Sequence, residues 1–100
     1  MKIDLHPEAD AEFAAQVGYY EQKEPGLGVR FYREVMESLD WIVENPLVPR
    51  RRRNYRRVNL KVFPFYIAYV LEGDLVWVLA VAHSKKKPGY WMRRRKGLVS

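Results

Sequence analysis

The sequence contains no cysteine and only two histidines, His6 and His83. Disulfides and thiolate metal sites are excluded, and the expected compartment is a reducing cytoplasm. A metal centre would need carboxylate help that no spacing arranges, so neither a metal nor a cofactor is expected. Long apolar runs are also missing. The longest, such as Leu75–Ala82, fall far short of a bilayer span. The opening MKIDLHPEAD has no apolar stretch of signal length. No repeat and no low-complexity linker divides the chain. These absences predict a soluble, cytosolic protein with no membrane partner. They also predict one domain over residues 1–100, ending in a basic tail over residues 84–100.

Acidic residues are nearly absent from the second half. Residues 50–100 hold fourteen basic groups and two acidic ones, Glu72 and Asp74, for a net +12. Residues 1–49 hold four basic and ten acidic groups, for −6, so the overall +6 conceals the asymmetry. A one-sided excess of this size points to a polyanionic partner, either nucleic acid or an acidic protein segment.

What is present is a strong apolar pattern. The hydrophobic fraction is 48% and 14% of residues are aromatic, enough for a packed core in a chain of 100 residues. Lys2–Leu5 reads as a short strand. His6-Pro7-Glu8 reads as a helix start, with His6 as its cap or spacer. The first helix is expected from about Pro7 to Gln22, with Ala9, Phe13, Val17 and Tyr20 on one face. Glu24-Pro25-Gly26 ends it. The second is expected from about Gly28 to Glu44. Phe31, Val35, Leu39 and Ile42 form its apolar row, and Asn45-Pro46 stops it.

Residues 47–57, LVPRRRRNYRR, read as an arginine-rich loop. Val58–Phe63, Phe65–Leu71 and Leu75–His83 read as three strands of an antiparallel meander. Pro64 interrupts the ladder between the first two, and Glu72-Gly73-Asp74 turns between the last two. Pro88–Lys96 reads equally as a short helix or an extended arm. The predicted fold is α+β in two layers, ordered β-α-α-β-β-β, with a helical hairpin on one face of an antiparallel sheet. The other face, carrying either Tyr66, Ala68 and Val70 or Phe65, Ile67 and Tyr69, is too apolar to leave bare. A partner or a dimer is expected to cover it. Phe65, Tyr69, Trp77 and Trp41 are expected in the core.

Four stretches, in this order, carry a resemblance to a known family: HPEADAEF, GVRFYREVMESLDWIVENP, YRRVNLKVFPFYIAYVLEGD and LVWVLAVAHSKKKPGYW. Together they span nearly all of residues 2–96 and resemble the RelE/ParE toxins of bacterial type II toxin–antitoxin modules, often called plasmid stabilisation proteins. The resemblance implies the RelE/ParE toxin fold, growth inhibition, and a cognate antitoxin that wraps the toxin in a hetero-oligomer. It also implies one of two targets. ParE-like members inhibit DNA gyrase without cutting nucleic acid. RelE-like members cleave messenger RNA on the ribosome.

Position by position, the resemblance favours the ParE-like branch. Where RelE-like members carry a lysine pair on the first hairpin strand, this chain has Arg57 and Asn59. Where they carry an arginine on the next strand, it has Tyr66, which donates a hydrogen bond but brings no charge. The arginine after the last strand is replaced by His83 or Ser84, and the C-terminal tyrosine is matched by Tyr90. A ribonuclease would therefore rest on Arg57, Lys61, His83 and Tyr90, with Lys85–Lys87 on phosphate. His83 serves there as a base, or else it is a strand-end residue that hydrogen-bonds backbone. On the binding reading, the target- or antitoxin-binding residues are Arg50, Arg51, Arg52, Arg53, Arg56, Arg57, Tyr66, Lys85, Lys86, Lys87, Trp91 and Arg93. Arg93–Arg95 and Lys96 join that patch if the tail returns to it. Tyr55, Tyr90 and Trp91 either stack on bases or pack at the core edge.

Overall fold

The computed structural model describes the backbone of residues 1–98 and the side chains of residues 1–95. Strand β1 (Lys2–Leu5) is followed by helices α1 (Pro7–Lys23) and α2 (Leu27–Glu44). Strands β2 (Arg51–Arg52), β3 (Tyr55–Asn59), β4 (Phe65–Glu72) and β5 (Leu75–His83) come next. A short helix α3 (Gly89–Met92) and a 3-10 turn (Arg93–Leu98) close the chain. The sheet has five strands in the order β1-β5-β4-β3-β2. The α+β architecture is therefore as expected, but the sheet is mixed: β1 pairs parallel to β5, and the other pairs are antiparallel. Among the described residues no helix is long and apolar enough to cross a membrane.

Local chemistry explains the helical hairpin. His6 Nδ1 accepts from the Glu8 N–H at 3.0 Å and caps α1. Pro7 occupies the first turn, where no N–H is needed, and Glu8 and Asp10 face the positive helix end. Glu21 reaches across the corner to accept from the Gly26 and Gly28 amides, at 2.8 and 3.0 Å. A Cβ at Gly28 would collide with the Val17 carbonyl, so glycine sets how closely the two helices approach. The predicted rows are the ones that pack. Ala9 and Phe13 of α1 are buried, as are Phe31, Val35, Leu39 and Ile42 of α2. Phe13 and the α2 row form one cluster with Phe65, Ile67 and Tyr69 of β4 and Val76, Val78 and Val81 of β5.

Trp41 departs from expectation: it is 42% exposed. It follows Glu34, Glu37 and Ser38 along a neighbouring helix face, and with them it lines an open cleft beside Val58 and Lys61.

The segment expected as strand Val58–Phe63 pairs only as far as Asn59. Beyond it the Glu34 carboxylate accepts from the backbone N–H groups of Lys61, Val62 and Phe63, at 2.6 to 3.4 Å. Those donors are thereby withdrawn from the ladder, and Pro64 has none to offer. Burial follows the turn instead of a period of two. Leu60 and Phe63 are buried, while Val62 is 71% exposed. Glu34→Ala should unfasten this loop and lower stability by about 1–2 kcal/mol, since a charge-assisted acceptor for several amides is lost near solvent. A urea titration would measure it. A midpoint equal to wild type would mean that the loop holds itself.

The arginine-rich stretch is not all loop. Arg51–Arg52 pairs with Tyr55–Arg56 as a hairpin, and β3 begins three residues earlier than expected.

The second sheet face, expected to need a partner or a dimer, is covered by α3 of the same chain. Tyr55, Tyr66, Ala68, Val70, Trp77, Leu79, Ala80 and Ala82 form a second apolar cluster with Trp91 of α3. The sheet is thus a central layer with helices on one side and the C-terminal segment on the other. Pro88–Lys96 resolves into a short helix followed by a 3-10 turn.

Candidate functional site

The sheet decides which of the predicted site residues can act together. Tyr66 and Trp91, both expected at a binding surface, are fully buried. The Trp91 indole N–H donates to the Tyr66 hydroxyl at 2.9 Å, and that hydroxyl donates to the Lys86 carbonyl at 3.3 Å. Burial raises the Tyr66 pKa above its ordinary value, against the Trp91 hydrogen bond and the Arg57 charge. Tyr55 is also buried, edge-on to Trp91 at 4.8 Å between ring centroids. None of these three presents a ring to solvent for base stacking.

Arg57 lies on the same face. Its guanidinium sits 4.0 Å from the Tyr66 ring centroid and donates to Asn59 Oδ1 at 2.9 and 3.2 Å. The position where the resemblance lacks an arginine thus has a cation supplied from the neighbouring strand. Tyr90, half-buried in α3, lies under Lys86 and Arg94, with cation-to-centroid distances of 5.6 and 5.1 Å. Burial, reinforced by Glu12, raises its pKa well above the tyrosine range, against Arg94. That shift carries Tyr90 away from the near-neutral value that suits proton transfer.

His83 is on the opposite face. It stands in register with Phe65, on the helix side, with ring centroids 5.2 Å apart. Its Nδ1 accepts from the Lys85 N–H at 3.1 Å, as a strand-end residue would. His83 and the Arg57–Tyr66–Tyr90 group are therefore separated by the sheet. Lys61 shares a shallow cleft with Arg57, Asn59 and Ser84, so Arg57 and Lys61 are brought together and His83 and Tyr90 are not.

Two of the predicted cation runs are exposed at different places on the sheet. Lys85, Lys86 and Lys87 follow β5 at the end where β4 begins. Arg50, Arg51, Arg52 and Arg53 are exposed along the β2 edge, nearer the end where β4 finishes. Arg56 is half-buried and donates to the carbonyls of Leu47 and Pro49, at 3.3 and 2.7 Å. Arg93 is exposed.

Two of the tail arginines are structural, which sequence reasoning missed. Arg94 is 8% exposed. Its guanidinium meets Glu12 of α1 in a bidentate pair at 2.9 and 3.0 Å and donates to the Leu79 carbonyl at 3.0 Å. Burial works against its charge, but Glu12 outweighs that and the net shift is upward. Arg95 donates to Asn54 O at 2.6 Å and pairs with Glu72 at 3.2 Å. The usable signal was the pair Glu8 and Glu12, acids one turn apart beside Ala9 and Phe13, and Glu8 also lies 3.7 Å from the Arg94 guanidinium. Lys96 lies outside the described side chains. Among the described residues no group of three or more His, Asp or Glu is placed to hold a metal ion.

Tyr69 gives a pH-dependent prediction. Its hydroxyl donates to the Pro46 carbonyl at 2.7 Å, and burial pushes its pKa from 10.0 to about 12, against the nearby Arg56. The unfolded chain ionises this phenol near its ordinary value. The contribution of Tyr69 is therefore full below about pH 10 and lost as the pH rises toward 12, by about 2–3 kcal/mol, beside whatever Tyr66 and Tyr90 lose on ionising. Tyr69→Phe should flatten that decline. Urea midpoints at pH 9 and 11 for both proteins test it, and equal declines would contradict the assignment.

The family described as ParE toxin of type II toxin-antitoxin system, parDE, matches residues 3–88. Among solved structures, the chain is similar to one from the chromosomal ParDE TA system of P. aeruginosa. That likeness has a TM-score of 0.72 at 18% identity and covers 83% of this chain and 95% of the other. At that identity it speaks for the fold. No curated protein matches the chain.

Proposed function

Because the chain belongs to the ParE toxin family of type II toxin–antitoxin systems, we propose that it inhibits bacterial growth in the cytoplasm by binding DNA gyrase. Membership of that family implies a cognate antitoxin as partner, and we assign the antitoxin the role of blocking the gyrase contact. The observation that carries the reading is the separation of His83 from Tyr90 and Arg57 by the sheet. In-line phosphodiester cleavage needs a base and an acid within reach of one phosphate. Tyr90, with its raised pKa, is a weak candidate for either role. The gyrase contact is assigned to the exposed Lys85–Lys87 run as point charges, joined by Arg57 and Arg93, with Tyr66 and Trp91 as the buried support beneath.

Messenger RNA cleavage on the ribosome is the second reading. It draws support from the shared cleft of Arg57, Lys61 and Ser84. Induced expression in a bacterium lacking the antitoxin separates the two. Growth arrest with a DNA damage response and intact transcripts is the expected result. Arrest with early transcript cleavage would favour the ribosome and sink the gyrase reading.

A further inference from the structure

At the β2 edge, remote from Lys85–Lys87, three guanidiniums line one open cleft of about 220 Å³: Arg51 from β2, Arg56 from β3 and Arg95 from the 3-10 turn. Arg51 and Arg56 stand directly opposite each other in the hairpin register. Like charges so placed destabilise a strand pair. No salt bridge to either is found among the described residues, and the Glu72 carboxylate is engaged by Arg95. The turn that links the two strands is also strained, since Arg53 holds φ at +42° in a position that favours glycine or asparagine. Neither feature helps the hairpin fold. The facing arginines concentrate cations on its edge.

Two of the three side chains are held in place beforehand, and Arg51 is exposed beside them. Arg56 is anchored by the Leu47 and Pro49 carbonyls. Arg95 is anchored by the Asn54 carbonyl and Glu72. The three approach from two strands and a turn, so their donors do not share a plane. A carboxylate offers two oxygens in one plane and is satisfied by one guanidinium fork. A phosphate offers oxygens in several directions and can use three.

We propose that this cleft binds a phosphate of a nucleic-acid backbone. The site is shallow and open at the sheet's rim, with Arg50, Arg52 and Arg53 exposed beside it, as suits an extended polyanion passing across it. Tyr55 and Tyr69, the two aromatic residues in its wall, are both buried, so bases have no stacking platform. Contact is therefore through the backbone, without sequence readout, and a duplex suffices. This goes beyond gyrase binding and does not depend on it, since the test contains no gyrase.

The test is fluorescence anisotropy of a labelled DNA duplex, on the order of 20 base pairs, against the full chain over a salt series. Arg51→Gln should weaken binding at low salt roughly fivefold and make the salt dependence shallower by about 0.9, one phosphate contact. Arg30→Gln, which removes the same charge from exposed α2, should change affinity less than about twofold. Inorganic phosphate, against chloride at matched ionic strength, should displace the duplex from wild type more readily than from Arg51→Gln. Equal effects of the two substitutions would overturn the proposal, leaving only diffuse charge. Phosphate-dependent thermal stabilisation that vanishes in Arg51→Gln, with no duplex affinity, would overturn the nucleic-acid assignment in favour of a free phosphate. Displacement by polyglutamate at equal charge, with Arg51→Gln weakening that peptide as much as the duplex, would overturn it in favour of an acidic protein segment.

Discussion

Replacing Trp91 with alanine is expected to destabilise the protein by about 3–5 kcal/mol, the range for emptying a buried tryptophan site. For a chain of 100 residues that is a large share of a total of roughly 5–15 kcal/mol. The size follows from position. Trp91 is fully buried between Tyr55 and Tyr66, and its indole N–H donates to the Tyr66 hydroxyl. Truncation leaves a void on the sheet's second face and removes a donor from a buried hydroxyl. It also removes the apolar anchor of α3, so Tyr66, Leu79 and Trp77 would gain solvent. Urea denaturation of Trp91→Ala and Trp91→Phe is the measurement. Phe should recover much of the packing but not the hydrogen bond. A loss below about 1 kcal/mol for alanine would mean that the C-terminal segment is not part of the fold.

The second large effect is asymmetric. Glu12→Ala strands the Arg94 guanidinium, whose side chain is only 7% exposed, without its bidentate acceptor. Breaking such a pair from one side costs about 3–5 kcal/mol when both partners are buried. Glu12 is 25% exposed, so solvent screening reduces the expected loss to about 2–3 kcal/mol. Removing both charges is different. Glu12→Ala combined with Arg94→Met should lie within about 1 kcal/mol of wild type, because no unpaired charge remains. The double-mutant cycle reads the coupling directly. Additive losses would show that the pair does not hold the tail to α1.

These two predictions concern the part of the molecule least legible in the sequence. The helices were readable because one physical signal dominates them. Ala9 and Phe13, and Phe31, Val35, Leu39 and Ile42, are spaced for one face each, and packing obeyed that spacing. The long strands β4 and β5 were readable from continuous apolar runs bounded by Pro64, Gly73 and the lysines. The failures share a cause, which is distance along the chain. The end of β3 is set by Glu34, which lies 27 residues before the amide of Lys61. The role of Arg94 is set by Glu12, 82 residues earlier. In a run of arginines nothing local distinguishes the buried Arg94 from the exposed Arg93. Tyr66 is expected at a binding surface and Trp91 either there or at the core edge, because nothing in the sequence indicates that the segment around Trp91 folds back over the sheet. The hairpin at Arg51–Arg56 was hidden by its charge, since arginines carry no strand signal.

The separation of the candidate residues was equally invisible. His83 and Tyr90 are seven positions apart, close enough in sequence to suggest one site. A strand end, a turn and a short helix put them on opposite faces. The same fold leaves Lys85–Lys87 exposed at one end of the sheet and the arginine edge toward the other. A binding toxin can use both at once, one for a protein target and one for a polyanion.

The most direct measurement is DNA supercoiling by purified gyrase in the presence of this chain, run beside a ribosome-dependent transcript-cleavage assay on the same preparation. The account predicts inhibition of supercoiling that survives His83→Ala and Tyr90→Phe and is lost when Lys85, Lys86 and Lys87 are all changed to Glu. Unaffected gyrase, with transcripts cut by the wild-type chain, would contradict it.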